Sequence, residues 1–380
     1  MTSVITTPPP KKCRESNLEL FRIITMFFIV AHHYVTSSNV IFYVLDEPTT
    51  ANSIFYLLFG AFGKTGINCF LLITGYFMCT SNITAKKFAK LFFEVLFYRV
   101  VIYLVFIVSG YEKFNLVQFI KCFFPINNVT CTFTSSYLLF FLLIPFLNIL
   151  IKNLTEKQHI YLLLVISLIY IIIGSVPLKN IITFNYVSWY CVLYFIASYI
   201  RLYPKNIFSN QKICTFIFVG SLILSILSLL FWMVLKEKFG ARSGYYFLLQ
   251  DSNKILAVTN AISGFLFFKN LQIKYNKFVN SISITTFGVL LIHGNSATMR
   301  IWLWGDILQN DNWLYSPYAF LHAILSVMLV FAVCSIIDSL RINYIEKPFF
   351  VLWDKLWPKV TNWFYNKENA ILTKIHIEGD

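Results

Sequence analysis

Residues 213–235 read ICTFIFVGSLILSILSLLFWMVL, a run without a charged residue. A helix rises 1.5 Å per residue, so a run of this length crosses a bilayer hydrocarbon core, which is about 30 Å thick. A second such run occupies residues 319–337. Hydrophobic residues make up 58% of the 380 positions and charged residues 13%, about half the charged share of an ordinary soluble domain. The sequence therefore predicts an integral membrane protein.

Further apolar segments predict an all-α, polytopic bundle of about ten transmembrane helices. The predicted spans are 18–37, 54–79, 91–109, 135–151, 159–174, 187–200, 213–235, 255–268, 282–304 and 317–340. No internal repeat or Pro/Gly-rich linker divides the chain. We therefore expect a cytoplasmic N-terminal tail at 1–15, one transmembrane domain at 16–342, and a basic C-terminal tail at 343–380 that lies on the inner leaflet.

The distribution of positive charge predicts the orientation in the membrane. The net charge is +14, but the lysines and arginines lie in short loops and tails rather than on one face of a soluble domain, which argues against nucleic acid as a partner. The positive-inside rule then favours cytoplasmic termini at both ends. Segment 236–254 does not follow the positive-inside rule, because it carries four basic residues on the predicted outer side. Either it is an ordered extracytoplasmic cap, or a neighbouring span is drawn wrongly.

The first span, SNLELFRIITMFFIVAHHY at 16–34, carries ionisable residues on one face. Arg22 and His33 are eleven residues apart, so they lie within about 20° of one another around the helix and about 16 Å apart along it. Glu19 lies one turn before Arg22 and can pair with it. Ionisable groups in a membrane helix are costly and usually functional. The alternative is an arginine that snorkels to the inner interface and a pair of histidines, His32 and His33, at the outer interface.

The pattern Glu19-x-x-Arg22-x10-His33 resembles the first helix of the membrane acyltransferase 3 family, which O-acylates bacterial extracytoplasmic glycans. Other segments resemble later family motifs in the same order: GINCFLLITGY at 66–76, FGVLLIH at 287–293 and YIEKP at 344–348. The family's basic Arg-x-x-Arg after the second helix corresponds to Lys87-Phe-Ala-Lys90, preceded by Lys86. The resemblance extends from about residue 16 to residue 350.

The resemblance implies a multi-pass enzyme of the bacterial cytoplasmic membrane. It implies transfer of an acetyl or short acyl group from cytoplasmic acyl-CoA, most simply acetyl-CoA, to a hydroxyl of an extracytoplasmic or lipid-linked glycan. Acyl-CoA is then a donor substrate, and no bound cofactor or metal is expected. The coenzyme phosphates would dock at Lys86, Lys87 and Lys90, or these lysines form an ordinary positive-inside loop. Lysine keeps the charge but lacks the bidentate fork of arginine.

The resemblance also implies roles for the residues of the first span. Arg22, paired with Glu19, would act as an electrostatic clamp on the path of the donor. His33 would take the proton from the acceptor hydroxyl or carry the acyl group covalently. His32 points about 100° away from His33 and is expected to be structural.

Two later residues are candidate substrate contacts. His293 is either a second polar group in the cavity of His33 or a packed, hydrogen-bonded histidine. Glu346 resembles the family's late acid, although a salt bridge is the expected role at its boundary position. Gly63-Lys64-Thr65 resembles the end of a Walker A motif, but position 58 is leucine where that motif has its first glycine, so no phosphate loop is predicted.

Three other functions compete with an acyltransferase. A transporter or flippase of a lipid-linked saccharide would also carry intramembrane charges, but it should show an internal repeat and broken helices near the midplane. A membrane scaffold or sensor does not require Arg22 and His33 on one face. An acyltransferase of another class would use a single buried histidine, without the arginine.

Overall fold

The computed structural model describes residues 14–126, 133–176, 185–239 and 244–358, which contain helices and no strand. The all-α prediction is confirmed. The helices are α1 (Ser16–Thr36), α2 (Val40–Asp46), α3 (Ala51–Phe59), α4 (Gly63–Met78), α5 (Ala85–Val108), α6 (Leu116–Cys122), α7 (Phe133–Asn153), α8 (Glu156–Ser167), α9 (Tyr186–Leu202), α10 (Asn206–Ser209), α11 (Gln211–Phe239), α12 (Ile255–Asn270), α13 (Lys277–His293), α14 (Ala297–Arg300) and α15 (Ala319–Arg341). The π-helical segments are Leu168–Ile173, Ile301–Ile307 and Ile342–Glu346, and a 3₁₀ turn covers Asn310–Trp313.

Seven helical segments in the described part of the chain are long and apolar enough to cross a membrane. They are Ser16–Thr36, Ala51–Met78, Ala85–Val108, Phe133–Asn153, Glu156–Ile173, Gln211–Phe239 and Ala319–Pro358. Two shorter apolar helices, α12 and α13, accompany them. Each predicted span overlaps at least one helix. The helices therefore have the length and composition of a multi-pass membrane protein, while the count of ten spans and the side of each terminus stay predictions.

One predicted span is wrong in its extent. The span drawn at 282–304 is interrupted, because α13 ends at His293 and α14 begins at Ala297. Gly294 follows the last helical residue, and the Ser296 hydroxyl accepts a hydrogen bond from the Met299 amide at 3.0 Å. Glycine after a helix and serine before one are ordinary stop and start signals. The apolar residues on both sides hide this break from a hydropathy reading.

The segment 236–254 is ordered where the structure describes it. Its first residues belong to α11, and residues 244–254 form turns before α12. Lys254 donates a hydrogen bond to the Gly174 carbonyl at 2.7 Å, and Asn253 donates one to the Tyr170 carbonyl at 3.0 Å. Helices α11 and α12 flank the segment as the two predicted spans require. The described residues of this segment are therefore ordered between α11 and α12, while its side of the membrane stays a prediction.

Helix α1 lies against several others. It packs on α3, α4, α12 and α13, and Met26, Val30 and Tyr34 are completely buried. Helix α4 packs in turn on α9 and α12. These helices belong to a compact unit that extends to Cys334. The consequence is that polar side chains on α1 have protein rather than lipid around them.

A second compact unit comprises Ser335–Asp380. It begins within α15, and its helical conformation continues to residue 358. The rings of Trp353 and Trp357 are stacked, with centroids 4.5 Å apart. Residues 359–380 of the predicted interfacial tail, and residues 1–13 of the N-terminal tail, lie outside the described residues.

The close approach of α4 to α1 requires glycine at position 63. A Cβ atom at Gly63 would lie 2.2 Å from Cγ of His32, far inside van der Waals contact. His32 cannot move away freely, since its Nδ1 is hydrogen-bonded to the Gly60 carbonyl at 2.7 Å. Gly63 therefore determines how closely the start of α4 can pack on α1.

We expect Gly63→Ala to destabilise the protein by about 1–3 kcal/mol, which is the usual effect of overpacking a filled core. The thermal midpoint of the detergent-solubilised protein, followed by size-exclusion chromatography after heating, measures this loss. Gly220→Ala is the matched control, because a Cβ atom at Gly220 in α11 would have no atom within 4 Å apart from the neighbouring backbone of its own helix. Equal midpoints for the two variants would show that the contact with His32 is not a packing constraint.

Candidate active site

The predicted ion pair on α1 is present. Arg22 Nη1 lies 2.9 Å from Glu19 Oε2, and Arg14 Nη1 lies 3.6 Å from the other carboxylate oxygen. Glu19 is buried at 5% exposure, whereas the Arg22 side chain is 20% exposed. The guanidinium carbon of Arg22 also lies 5.8 Å from the centre of the Phe70 ring. The charge of Arg22 is therefore neutralised within its own helix.

His33 is joined to His293 by a hydrogen bond. The Nδ1 atom of His33 lies 2.9 Å from Nε2 of His293, and the ring centroids are 5.0 Å apart. His293, the last residue of α13, is completely buried. Its own Nδ1 lies 2.6 Å from the Val289 carbonyl, one turn earlier in α13. The structure therefore brings together two histidines that are 260 residues apart in the chain.

These contacts determine the tautomers of the two rings when both are neutral. The Val289 carbonyl can only accept, so Nδ1 of His293 carries a hydrogen and donates it. Nε2 of His293 is then an acceptor, and Nδ1 of His33 must be the donor to it. Nε2 of His33 is left with an unprotonated lone pair and has no hydrogen-bond partner among the described residues. A base held in one tautomer by a second group is the arrangement of catalytic histidines.

His33 lines a cavity of about 390 Å³, within the size range of small-molecule sites. His293 lies behind His33 and is not part of the cavity wall. The lining residues are Ile29, His33, Lys64, Ile67, Val95, Arg99, Phe133, Thr134, Ser135, Tyr186, Leu290, Leu291, Gly294, Asn295, Ser296, Ala297 and Arg300. Of the two alternatives for His293, the structure shows the packed, hydrogen-bonded histidine, which contacts the cavity histidine without lining the cavity.

Three cationic side chains line the same cavity: Lys64 near the start of α4, Arg99 in α5 and Arg300 at the end of α14. Lys64 donates a hydrogen bond to the Tyr186 hydroxyl at 2.9 Å, and Arg99 donates one to the Lys121 carbonyl at 3.0 Å. None of the three has a carboxylate within ion-pair distance in the described part of the chain. The cavity therefore combines a histidine base with excess positive charge.

Sequence reasoning missed these three cations. Arg99 and Arg300 lie within predicted apolar spans, so the rule that singled out Arg22 could have singled them out too. Lys64 was considered only as part of a false Walker A motif. That the three converge on one cavity depends on the packing of α4, α5 and α13–α14, which no local pattern reveals.

Other predicted site residues lie away from the cavity. Arg22 does not line it, so the structure gives Arg22 and His33 one helix face but not one cavity. Lys86, Lys87 and Lys90 occupy the first two turns of α5 and are exposed, whereas Arg99 is the cationic residue that α5 contributes to the cavity. His32 has the structural role expected of it, as the contacts with α4 show.

Glu346 forms the expected salt bridge. Its Oε2 lies 2.6 Å from Nη1 of Arg341, and Asp338 Oδ1 lies 2.7 Å from Nε of the same arginine. All three residues are buried, at 3% exposure or less. The contacts lie within the unit Ser335–Asp380 and give Glu346 a structural partner.

The described residues contain no group of three or more histidine, cysteine, aspartate or glutamate side chains that could hold a metal ion. The polar groups around His33 are donors and cations, which suit an anionic or hydroxylated ligand rather than a metal. The chemistry available at this site is therefore proton transfer or nucleophilic attack by His33, beside cations that can stabilise negative charge.

Comparison with known proteins gives one family. A family model described as an acyltransferase domain matches residues 15–338, which include the ion pair on α1, both histidines and all three cavity cations. No significant match was found among curated proteins or solved structures.

The ion pair on α1 gives a stability prediction. We expect Glu19→Ala to lower the free energy of unfolding by roughly 3 kcal/mol, because it leaves Arg22 inside a helical core without its carboxylate. Arg22→Ala should lower it by less, because Arg14 stays beside Glu19. The double variant should lose less than the sum of the two single losses. Thermal midpoints of the three variants in one detergent give the coupling.

The control is Lys205→Ala, which breaks the exposed ion pair between Lys205 and Glu156, 2.5 Å apart. Exposed pairs contribute little, so its midpoint should stay close to that of the unaltered protein. Strictly additive losses at Glu19 and Arg22 would contradict a coupled pair.

Proposed function

The chain belongs to the membrane acyltransferase 3 family, and we propose that it transfers an acetyl or other short acyl group from acyl-CoA to a glycan hydroxyl outside the bacterial cytoplasmic membrane. The single observation that carries this proposal is the hydrogen bond between His33 Nδ1 and His293 Nε2, which leaves Nε2 of His33 available as a base at the wall of a polar cavity. The acceptor is a surface polysaccharide or its lipid-linked precursor. Nothing in the family match favours the alternative of a saccharide transporter.

In the proposed orientation, the two substrates approach the site from opposite sides of the membrane. With the N-terminus inside, α1 runs outward and His33 lies near its outer end, where a glycan can enter the cavity. Acyl-CoA is cytoplasmic and approaches from the other end of α1. Lys86, Lys87 and Lys90 would hold its phosphates there, and Arg22, paired with Glu19, would guide the donor towards His33. The active site is then the meeting point of a donor path from inside and an acceptor cavity from outside.

In the proposed reaction, His33 is a general base. The acceptor oxygen attacks the thioester carbonyl carbon while its proton passes to Nε2 of His33. The tetrahedral intermediate then expels the sulfur of coenzyme A, which takes this proton and leaves as the thiol. One ester bond forms, one thioester bond breaks, and His33 returns to its starting state.

His293 is a positioning residue in this reaction. Its Nε2 accepts the hydrogen of His33 Nδ1 and so keeps the basic nitrogen of His33 towards the cavity. When His33 gains a proton, the same hydrogen bond becomes charge-assisted and stronger. A covalent alternative, in which Nε2 of His33 carries the acyl group, would use the same lone pair.

We expect His33→Ala to lower acyl transfer by roughly 100-fold or more, because it removes the general base. The measurement is mass analysis of surface glycans from a deletion strain complemented with the unaltered gene, His33→Ala or Arg22→Ala. Arg22→Ala should also reduce the acyl mark. His159→Gln is the control histidine, since its Nε2 contacts the Phe195 carbonyl at 3.0 Å in another part of the molecule and glutamine can donate to the same oxygen.

Two outcomes would oppose different parts of this proposal. A full acyl mark from both inserted variants would remove His33 and Arg22 from the active site. Absence of any gene-dependent acyl mark would contradict the enzymatic function itself.

Radiolabelled acetyl-CoA without acceptor distinguishes the two roles of His33, because only the covalent role leaves label on the protein.

The positioning role of His293 predicts a difference between two substitutions. His293→Leu removes the acceptor for His33 Nδ1 and should lower kcat about 10- to 100-fold with little change in KM for acetyl-CoA. His293→Gln retains a side-chain acceptor and should recover part of this loss. Acyl transfer by purified protein, with thermal midpoints as the folding control, provides the test. Equal kcat for the two variants would leave His293 with a packing role alone.

A further inference from the structure

We propose that the acceptor glycan carries an anionic group, a phosphate or a carboxylate, and that Lys64, Arg99 and Arg300 bind this group in the cavity beside His33. This inference rests on the proposed function, because it names the class of acceptor for the same site. It depends on the cavity's charge rather than on the family, whose match does not identify an acceptor.

The charge of the cavity wall has one sign. Lys64, Arg99 and Arg300 come from three different helices, and no aspartate or glutamate is among the described residues that line the cavity. Like charges in a partly desolvated space repel one another strongly, since the effective dielectric constant is well below that of water. An anionic ligand would relieve this repulsion and gain binding energy from all three cations.

The contrast with other cations of the chain supports a ligand role. Arg22 is paired with Glu19, Lys205 with Glu156, and Arg341 with carboxylates of its own unit. In the cavity, Lys64 and Arg99 instead donate to a neutral hydroxyl and a backbone carbonyl. Arg300 has no hydrogen-bond or ion-pair partner among residues 14–126, 133–176, 185–239 and 244–358. Its charge is half-buried, and no carboxylate in these ranges neutralises it.

The surroundings of these cations suit a saccharide. Hydroxyl and amide groups of Thr134, Tyr186, Asn295 and Ser296 line the same wall and can bind sugar hydroxyls. Because His33 shares this cavity, an anionic group held by the cations would leave a neighbouring sugar hydroxyl within reach of the base. The cations would then determine which acceptor is bound and which of its hydroxyls is presented.

A second cavity, of about 290 Å³, adjoins the first and shares Arg99, Ser135, Asn295 and Ser296 with it. It also contains Lys121 and one acidic residue, Glu112, which accepts a hydrogen bond from Gln118 at 3.4 Å. Two adjoining cavities offer more room than one monosaccharide requires. We therefore expect an acceptor of at least two sugar units, with its anionic group near Arg99 and Arg300.

The cavity cations could also bind the phosphates of coenzyme A. The test therefore distinguishes binding of the donor from binding of the acceptor. Glucose 1-phosphate, glucose and coenzyme A are titrated into the purified protein, and binding is followed by its thermal midpoint at low and high salt. The variants are Arg300→Gln, Arg300→Lys and Arg99→Gln. The control, Lys277→Gln, removes one exposed charge from the start of α13, away from the cavity.

Glucose 1-phosphate should bind the unaltered protein about tenfold more tightly than glucose, with a salt-dependent Kd. Arg300→Gln and Arg99→Gln should each weaken it by about tenfold. Arg300→Lys should weaken it less, and Lys277→Gln should leave it unchanged. Coenzyme A should bind all variants alike. Equal binding of the two sugars, no effect of Arg300→Gln, or a loss confined to coenzyme A would each overturn the proposal.

The acylated glycan provides an independent outcome that separates this inference from the proposed function. A gene-dependent acyl mark on a repeating unit that contains a phosphate or a carboxylate supports both. The same mark on a wholly neutral repeating unit overturns the anionic acceptor and leaves the acyltransferase function intact. Absence of the mark overturns the function, while the sugar phosphate titration still decides whether the cavity binds anions.

Discussion

The ionisable side chains of α1 have to find their partners within the protein, because α1 is packed against other helices and buried polar groups without partners are costly. Glu19 satisfies this constraint with Arg22 and Arg14, and His32 satisfies it with the Gly60 carbonyl. In His33, Nδ1 is hydrogen-bonded to His293, whereas Nε2 has no partner among the described residues and His33 lines the cavity. That remaining nitrogen is the atom to which we assign the role of base in the proposed reaction.

The same packing that encloses α1 also builds the cavity. Gly63 lets α4 approach His32 closely, and the next residue, Lys64, is therefore brought to the cavity that contains His33. The break after α13 acts in a similar way. Gly294 follows His293 directly, and Arg300 ends the short helix beyond the break. The residues of the interruption, Gly294, Asn295 and Ser296, line the cavity together with Arg300, so the break itself forms part of the cavity wall.

The helix and the ion pair of α1 could be predicted from the sequence because they depend on residues close together in the chain. Helical periodicity aligned Glu19, Arg22 and His33, and the predicted ion pair is present. The partnership of His33 with His293 could not be derived in the same way, since it spans 260 residues and depends on how α13 packs on α1. Hydropathy also concealed the helix break at Gly294, because apolar residues continue beyond it. Local patterns thus identified the helices and one half of the site, and tertiary packing supplies the other half.

Some cations of the described residues are paired with a carboxylate, and others are not. The two groups have different roles in the proposed function. Arg22 is neutralised by Glu19 before any substrate arrives, so it can orient a passing group without a large excess field. Lys64, Arg99 and Arg300 are not neutralised by nearby carboxylates in the described part of the chain, so their interaction energy remains available to a ligand. Preorganised charge costs little to align at the moment of binding or reaction. Such charge also favours negative charge that develops on an acceptor oxygen near His33. The cavity cations can therefore serve both recognition of an anionic acceptor and stabilisation of its transition state.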